Sequence, residues 1–189
     1  MALIVETGAG VVTANSYITR AEFDTYAELM NWDISTYSDE QVEAAIVRAT
    51  RAIDQWQVWQ GVRTYESEQG LYWPRKAGSM QNGVFVSDSY MTEIVDGEGL
   101  PIAIDEIPTQ IEQAVAEATY REIVAPASMQ PDNSQRIKML KAGSVAIEYD
   151  MSSSVNTSYS VIDDLLDGLS SDGDGGTGNN AAMVDLFRA

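Results

Sequence analysis

The first run of regularly spaced apolar residues follows a helix-start signal. Thr19 and Glu22 stand three residues apart, which is the spacing of a capping box, where each side chain accepts a hydrogen bond from the other residue's backbone N–H. Apolar side chains then recur every three to four residues, at Phe23, Tyr26, Ala27 and Met30. This spacing predicts an amphipathic helix that ends at about residue 31.

A second capping box, formed by Ser38 and Gln41, opens a longer pattern. Asp39 and Glu40 lie in its first turn, where the helix dipole favours negative charge. One apolar stripe then continues through Val42, Ile46, Ala49, Ile53 and Trp56. We therefore predict a long helix that ends before residue 61.

A third helix is predicted to begin after Ile107-Pro108, because proline is tolerated in a first turn, and to end before Pro126. Alternating residues around Lys141-Ala142-Gly143-Ser144 predict a β-hairpin at about 135–150, and Val84-Phe85-Val86 predicts a short strand. A short acidic amphipathic helix is predicted from Val161, Leu165, Leu166 and Leu169. The predicted fold class is mainly α, a helical bundle with a β-hairpin and extended N- and C-terminal arms.

The same pattern divides the chain into four parts. Residues 1–150 are predicted to form the helical core, and residues 151–169 are predicted to form a linker and the short helix. Residues 170–180 are rich in Gly, Ser and Asp, which is typical of a flexible linker. Residues 181–189 turn apolar again and form a predicted docking tail.

Composition excludes several chemistries. The 189 residues include no Cys and no His, so thiolate nucleophiles, imidazole bases and zinc clusters are excluded. We expect a protein that is not an enzyme and that needs no cofactor or metal. The apolar runs are shorter than the ~20 residues of a spanning helix, and the N-terminus lacks the basic region of a signal peptide. We therefore expect a soluble chain with no membrane partner.

Charge argues against simple electrostatic binding of nucleic acid. Asp and Glu number 29 against 11 Lys and Arg, which gives a net charge of -18, whereas such binding needs a basic stripe. One basic group is nevertheless interleaved with aromatic residues, at Arg63, Tyr72, Trp73, Arg75 and Lys76. This group predicts either a surface on which nucleic-acid bases stack or buried aromatic residues with local salt bridges.

Acidic residues are concentrated between residues 77 and 120, a stretch without Lys or Arg. Its segment from Asp88 to Glu106 suggests either a carboxylate site for a hard cation, as in a metal-dependent enzyme, or a solvated loop. Near the C-terminus, an apolar cluster beyond a flexible tether predicts either docking on a partner or a frayed, disordered end. That cluster consists of Met183, Val184, Leu186 and Phe187.

Several stretches, taken in order, carry a resemblance to a known family. They are Asn15-Ser16-Tyr17-Ile18-Thr19 before the first helix, residues 46–56, Gly61-Val62-Arg63-Thr64, Leu71-Tyr72-Trp73-Pro74-Arg75, the Ile107-Pro108 helix, the hairpin at 137–149 and the helix at 159–169. Together they resemble the head–tail connector (adaptor, or head-completion) proteins of tailed bacteriophages. The resemblance covers about residues 1–169; the acidic insert before Pro108 and the tail from Ser170 depart from it.

The resemblance implies a structural virion protein, assembled in the host bacterial cytoplasm and located at the head–tail interface. It implies a ring of twelve copies that contacts the portal protein above and tail, tail-terminator or nozzle proteins below, with double-stranded genomic DNA passing through. Met183, Val184, Leu186 and Phe187 are then the predicted portal contact, and the hairpin tip Lys141, Ala142, Gly143 and Ser144 faces the channel or the tail. Some members of the family are described as binding single-stranded DNA, so a replication accessory protein is the alternative.

Overall fold

Helices form the framework of the chain in a computed structural model. The structure describes residues 2–56, 58–81, 84–86, 93–129, 139–142, 145–148 and 159–171, with side chains described for 2–55, 58–78, 93–129 and 159–171. The described residues form four α-helices: α1 Arg20–Leu29, α2 Asp39–Trp56, α3 Thr109–Val124 and α4 Ser160–Leu166. Short 3₁₀ turns cover Glu66–Glu68 and Asp167–Leu169.

The described strands form four separate antiparallel pairs. They are β1 Val62–Arg63 with β2 Arg75–Lys76, β3 Ser79–Gln81 with β4 Val84–Val86, β5 Ile94–Val95 with β6 Pro101–Ile102, and β7 Met139–Ala142 with β8 Val145–Glu148. No strand in the described chain is longer than four residues, so helix packing supplies most of the core. The predicted class, mainly α with a hairpin, is confirmed at this level, and no described helix is long and apolar enough to cross a membrane.

Both predicted capping boxes are present at the helix starts. Thr19 Oγ1 accepts from the N–H of Glu22 at 3.1 Å, and the Glu22 carboxylate accepts from the N–H of Thr19 at 2.6 Å. At α2, the Gln41 side chain accepts from the N–H of Ser38 at 2.9 Å, and the N–H of Gln41 donates to Ser38 Oγ at 3.4 Å. These bonds satisfy N–H groups that have no partner within the helix.

The core lies between α2 and α3, whose facing side chains are fully buried. Ile46 and Ile53 of α2 meet Ile111 and Val115 of α3 in one apolar cluster. Ala114 and Ala118 also have no exposed surface, and such small side chains let helix backbones approach closely. α4 packs on α3 and adds Ile162 and Leu166 to the same cluster.

One buried carboxylate joins α2, α3 and the turn that follows α3. The Glu122 side chain, 1% exposed, accepts from Arg48 Nε at 2.7 Å and from the N–H groups of Ala127 and Met129, each at 2.9 Å. Burial raises the pKa of Glu122, but these hydrogen bonds and the charge of Arg48 outweigh burial, so the net shift is downward. Glu122 therefore stays ionised and holds three parts of the chain together.

Aromatic contacts attach α1 and the segment after it to α3. Trp32 stacks on Tyr120 with ring centroids 4.1 Å apart. Tyr26 OH of α1 donates to Glu117 Oε1 at 3.2 Å. Burial and the Glu117 charge raise the pKa of Tyr26 to about 12, so this phenol remains a donor at neutral pH.

The N-terminal segment, which the sequence pattern predicts as an extended arm and a turn, makes contacts within itself. Val5 pairs with Ser16 in an isolated bridge, and the buried Glu6 carboxylate accepts from the N–H groups of Gly8, Gly10 and Val11 at 2.7–2.9 Å. The segment therefore folds back on itself, because these short-range bonds satisfy its backbone. The predicted C-terminal arm beyond residue 171 lies outside the described residues.

The predicted stripe of the last helix is also corrected. Val161 is 46% exposed, whereas its neighbour Ile162 is fully buried; Leu166 and Leu169 are buried as predicted. Residues 162, 166 and 169 lie on one side of the helix, and residues 161, 165 and 169 also share a side. Packing against α3 buries the first of these two sets.

The predicted hairpin is confirmed, since Ala142 pairs with Val145 across its tip, and the short strand at 84–86 pairs with β3.

Candidate nucleic-acid interface

The loop of residues 60–76 brings the predicted basic and aromatic residues together. β1 and β2 pair antiparallel, with Arg63 opposite Arg75 and Val62 opposite Lys76. The N–H of Thr64 also donates to Pro74 O at 3.1 Å, so the two ends of the loop are fastened side by side. This pairing places residues 62–63 beside residues 75–76 in one short two-stranded ribbon.

A buried glutamine organises the interior of this loop. Gln69 is 3% exposed, and its amide nitrogen donates to Leu71 O at 2.9 Å and to Pro74 O at 3.0 Å. Its oxygen accepts from the N–H of Tyr65 at 3.3 Å. The amide therefore replaces backbone pairing across a turn that also contains a cis peptide bond between Trp73 and Pro74.

Two exposed aromatic rings and two cations lie on this loop. The guanidinium carbon of Arg63 lies 4.5 Å from the centroid of the Tyr72 ring. Tyr72 and Tyr65 are 38% and 37% exposed, and Lys76 Nζ donates to Thr64 O at 3.0 Å. We name these four residues of the loop, Arg63, Tyr65, Tyr72 and Lys76, the Arg63–Tyr72 surface, after the pair whose side chains are in contact. Aromatic faces beside cations are what bases and phosphates of a single strand bind.

Trp73 and Arg75, the other two predicted contact residues, are buried. Trp73 has no exposed surface and packs edge-on against Trp59 at 5.8 Å. Arg75 is 7% exposed, and its guanidinium donates to the carbonyl oxygens of Gln60, Gly61 and Tyr72. Burial lowers the pKa of Arg75 to about 10, so it remains charged at neutral pH. Both side chains support the loop from within.

A buried carboxylate from α2 lies beneath the loop. Asp54 is 6% exposed; its Oδ1 accepts from Tyr17 OH, and its Oδ2 accepts from the N–H of Tyr72 at 3.2 Å. Tyr17 OH in turn accepts from the N–H of Trp73 at 3.0 Å. Burial raises the pKa of Asp54 to about 6 although both hydrogen bonds oppose it. Burial, together with the Asp54 charge, also raises the pKa of Tyr17.

Asp54 should give the protein a measurable pH dependence of stability. Because its folded pKa of about 6 lies above the ordinary value of about 3.9, its contribution is present at low pH and is lost as the pH rises through about 6. Between about pH 5 and pH 7.5, the free energy of unfolding of the wild type should fall by about 1.4 kcal/mol relative to that of Asp54→Asn. Urea unfolding of both variants measures this difference, and a difference that does not change with pH would refute it.

An acidic cleft of about 450 Å³ lies near the start of α3. Its lining includes Glu6, Glu22, Asp105, Glu106 and Glu112, which come from three separate segments. Burial and the neighbouring Glu22 charge raise the pKa of Glu112. The sequence pattern does not predict this cleft or the Asp54–Tyr17 pair, because both depend on tertiary contacts between distant residues.

The remaining predicted sites have different outcomes. Within residues 93–106, Asp96 accepts from the N–H groups of Glu98 and Leu100 at 2.9 and 2.8 Å, as in a tight turn. No group of three or more acidic side chains in the described part of the chain is arranged to hold a metal ion. The hairpin tip has Lys141 and Ala142 at the end of β7, while Gly143, Ser144 and the predicted portal contact at 183–187 lie outside the described residues.

Comparisons with known proteins place the chain as a whole in one family. Neither the curated proteins nor the solved structures contain a match to the chain. A family model with the description "Putative DnaT-like ssDNA binding protein" matches residues 1–189, the whole length of the sequence. The chain therefore belongs to the DnaT-like family that this description names.

Proposed function

We propose that this protein contacts single-stranded DNA through the Arg63–Tyr72 surface. The observation that carries the proposal is the position of the Arg63 guanidinium over the half-exposed Tyr72 ring, 4.5 Å from its centroid. The description of the family to which the chain belongs supports the same ligand. The surface has the chemistry that such a ligand needs, and its backbone is fixed by strand pairing.

Two kinds of contact would contribute to binding on this surface, namely base stacking and contact with phosphates. A base that stacks on an aromatic side chain gains about 1–3 kcal/mol, and the exposed rings of Tyr72 and Tyr65 offer two such faces. Arg63 and Lys76 would contact the phosphates on either side. Stacking is tolerant of sequence because every base has an aromatic face, so we expect little base preference.

The charge of the whole chain limits this binding. A net charge of -18 repels a polyanion, so the cations of the surface act against the surrounding field. With about two phosphates neutralised, the logarithm of the affinity should fall with the logarithm of salt concentration with a slope of about −1.4. We therefore expect weak binding that is detectable at low salt and lost at high salt.

Substitutions on the surface test this proposal. Arg63→Gln and Tyr72→Ala should each weaken binding of a fluorescent oligothymidine by about fivefold or more, because one removes a cation and the other a stacking face. Arg51→Gln is the matched control, since Arg51 is an exposed arginine of α2 outside the loop. Fluorescence anisotropy at low salt measures all three. Equal affinities for the three variants would contradict the proposal.

A second candidate function is the phage head–tail connector that the sequence resembles. The observation that favours it is the combination of net charge -18 with the burial of Trp73 and Arg75, because acidic walls would let double-stranded DNA pass without adhering. In this proposal a ring of copies contacts the portal through Met183, Val184, Leu186 and Phe187. Deletion of residues 181–189 should then abolish association with the portal protein, and unchanged association would refute that contact.

A further inference from the structure

Tyr72 is held by buried groups on both sides of its backbone. Its N–H donates to Asp54 Oδ2 at 3.2 Å, and its carbonyl oxygen accepts from Arg75 Nη1 at 3.2 Å. The next N–H, that of Trp73, donates to Tyr17 OH at 3.0 Å. The backbone that carries the exposed Tyr72 ring is thus held by three buried side chains, those of Asp54, Arg75 and Tyr17.

We infer that Asp54, Tyr17 and Arg75 are positioning residues that set the orientation of the Tyr72 ring for base stacking, and that protonation of Asp54 loosens this support. The inference rests on the proposed function and adds to it a regulation by pH. None of the three residues is exposed enough to contact a bound strand, since their exposed fractions are 6%, 2% and 7%. They would act only through the backbone that they hold.

Asp54 is the member of this group whose charge can change near neutral pH. The titratable and charged groups that face it are Tyr17 from the N-terminal segment, Arg63 from β1 and Arg75 from β2, and the loop adds the backbone N–H of Tyr72. Burial raises its pKa to about 6, so the carboxylate is ionised at pH 7.5 and mostly neutral at pH 5. A hydrogen bond to a neutral acceptor is weaker than one to a carboxylate.

The substitution Asp54→Asn separates positioning from simple electrostatics. Removal of a negative charge beneath the surface would tighten DNA binding if charge alone mattered. If Asp54 positions Tyr72, the same substitution weakens binding, because Tyr17 OH and the N–H of Tyr72 donate to different oxygens of Asp54 and the asparagine NH₂ would replace one of these acceptors. The two accounts therefore predict opposite signs.

Glu43→Gln is the matched control, because it removes the same charge from the same helix away from the loop. At about pH 7.5, Asp54→Asn should bind oligothymidine about fivefold more weakly than the control. The difference in affinity between the two variants should fall to less than about twofold near pH 5, because Asp54 of the control variant is then mostly neutral too. Tyr17→Phe, which keeps the ring, should weaken binding in the same direction if Asp54→Asn does not fold.

Hydrogen exchange of the Tyr72 amide tests the positioning without any ligand. At about pH 7.5 it should be about tenfold faster in Asp54→Asn than in Glu43→Gln, because its acceptor is lost. If no variant binds oligothymidine but the amide exchange differs in this way, the proposed function is wrong and the positioning is right. Tighter or equal binding by Asp54→Asn, or equal exchange rates in the two variants, overturns the inference.

Discussion

Replacing Trp73 by alanine should lower the free energy of unfolding by about 3–5 kcal/mol, as is usual when a large aromatic side chain is removed from a core. Trp73 has no exposed surface and packs against Trp59 at the junction of α2 and the 60–76 loop. The substitution would also remove the contact between Trp73 and Trp59 that packs the loop against the residues after α2. Urea unfolding followed by circular dichroism measures the change.

The neighbouring residue supplies the contrast. Tyr72 is 38% exposed, so Tyr72→Ala should lower the free energy of unfolding by about 1 kcal/mol or less while it weakens oligonucleotide binding. A Trp73→Ala variant that is as stable as the wild type would mean that Trp73 is not a core residue. In that case the stacking role first predicted for this tryptophan would have to be reconsidered.

The second large effect is expected at Glu122. Glu122→Gln should lower the free energy of unfolding by about 2–3 kcal/mol. The Glu122 carboxylate accepts from Arg48 and from the backbone N–H groups of Ala127 and Met129, whereas the glutamine NH₂ would face one or more of these donors. Denaturant unfolding at neutral pH measures the loss.

Glu112→Gln provides the control on the same helix. The pKa of Glu112 is raised by burial and by the charge of Glu22, so its ionised form is disfavoured and loss of the charge should change stability by less than about 0.5 kcal/mol. If both substitutions had equally small effects, the Glu122 network would not hold α2, α3 and the following turn together.

The local parts of the fold could be predicted from sequence. Thr19 with Glu22 and Ser38 with Gln41 cap the helices that they predict, because capping involves groups only three residues apart. The β-hairpin was predictable for the same reason, since its pairing across residues 142 and 145 is local. The choice of Ile162 over Val161 as the buried residue was not, because α3 decides it.

The site could be predicted only in part. The spacing of aromatic and basic residues places Arg63, Tyr72, Trp73, Arg75 and Lys76 in one region, and the β1–β2 pair brings them together. Composition does not distinguish the exposed Tyr72 from the buried Trp73. That difference depends on Tyr17 and Asp54, which lie 37 residues apart, and on Trp59, so it appears only in the folded chain.

The most direct test of the account is a sedimentation experiment on the purified full-length protein with a fluorescent oligothymidine of about 16 nucleotides. The account predicts that the oligonucleotide sediments with the protein at about 20 mM salt and separates from it at about 300 mM salt. An oligonucleotide that stays free at low salt while the protein sediments as a large ring would contradict single-stranded-DNA binding and would favour the connector.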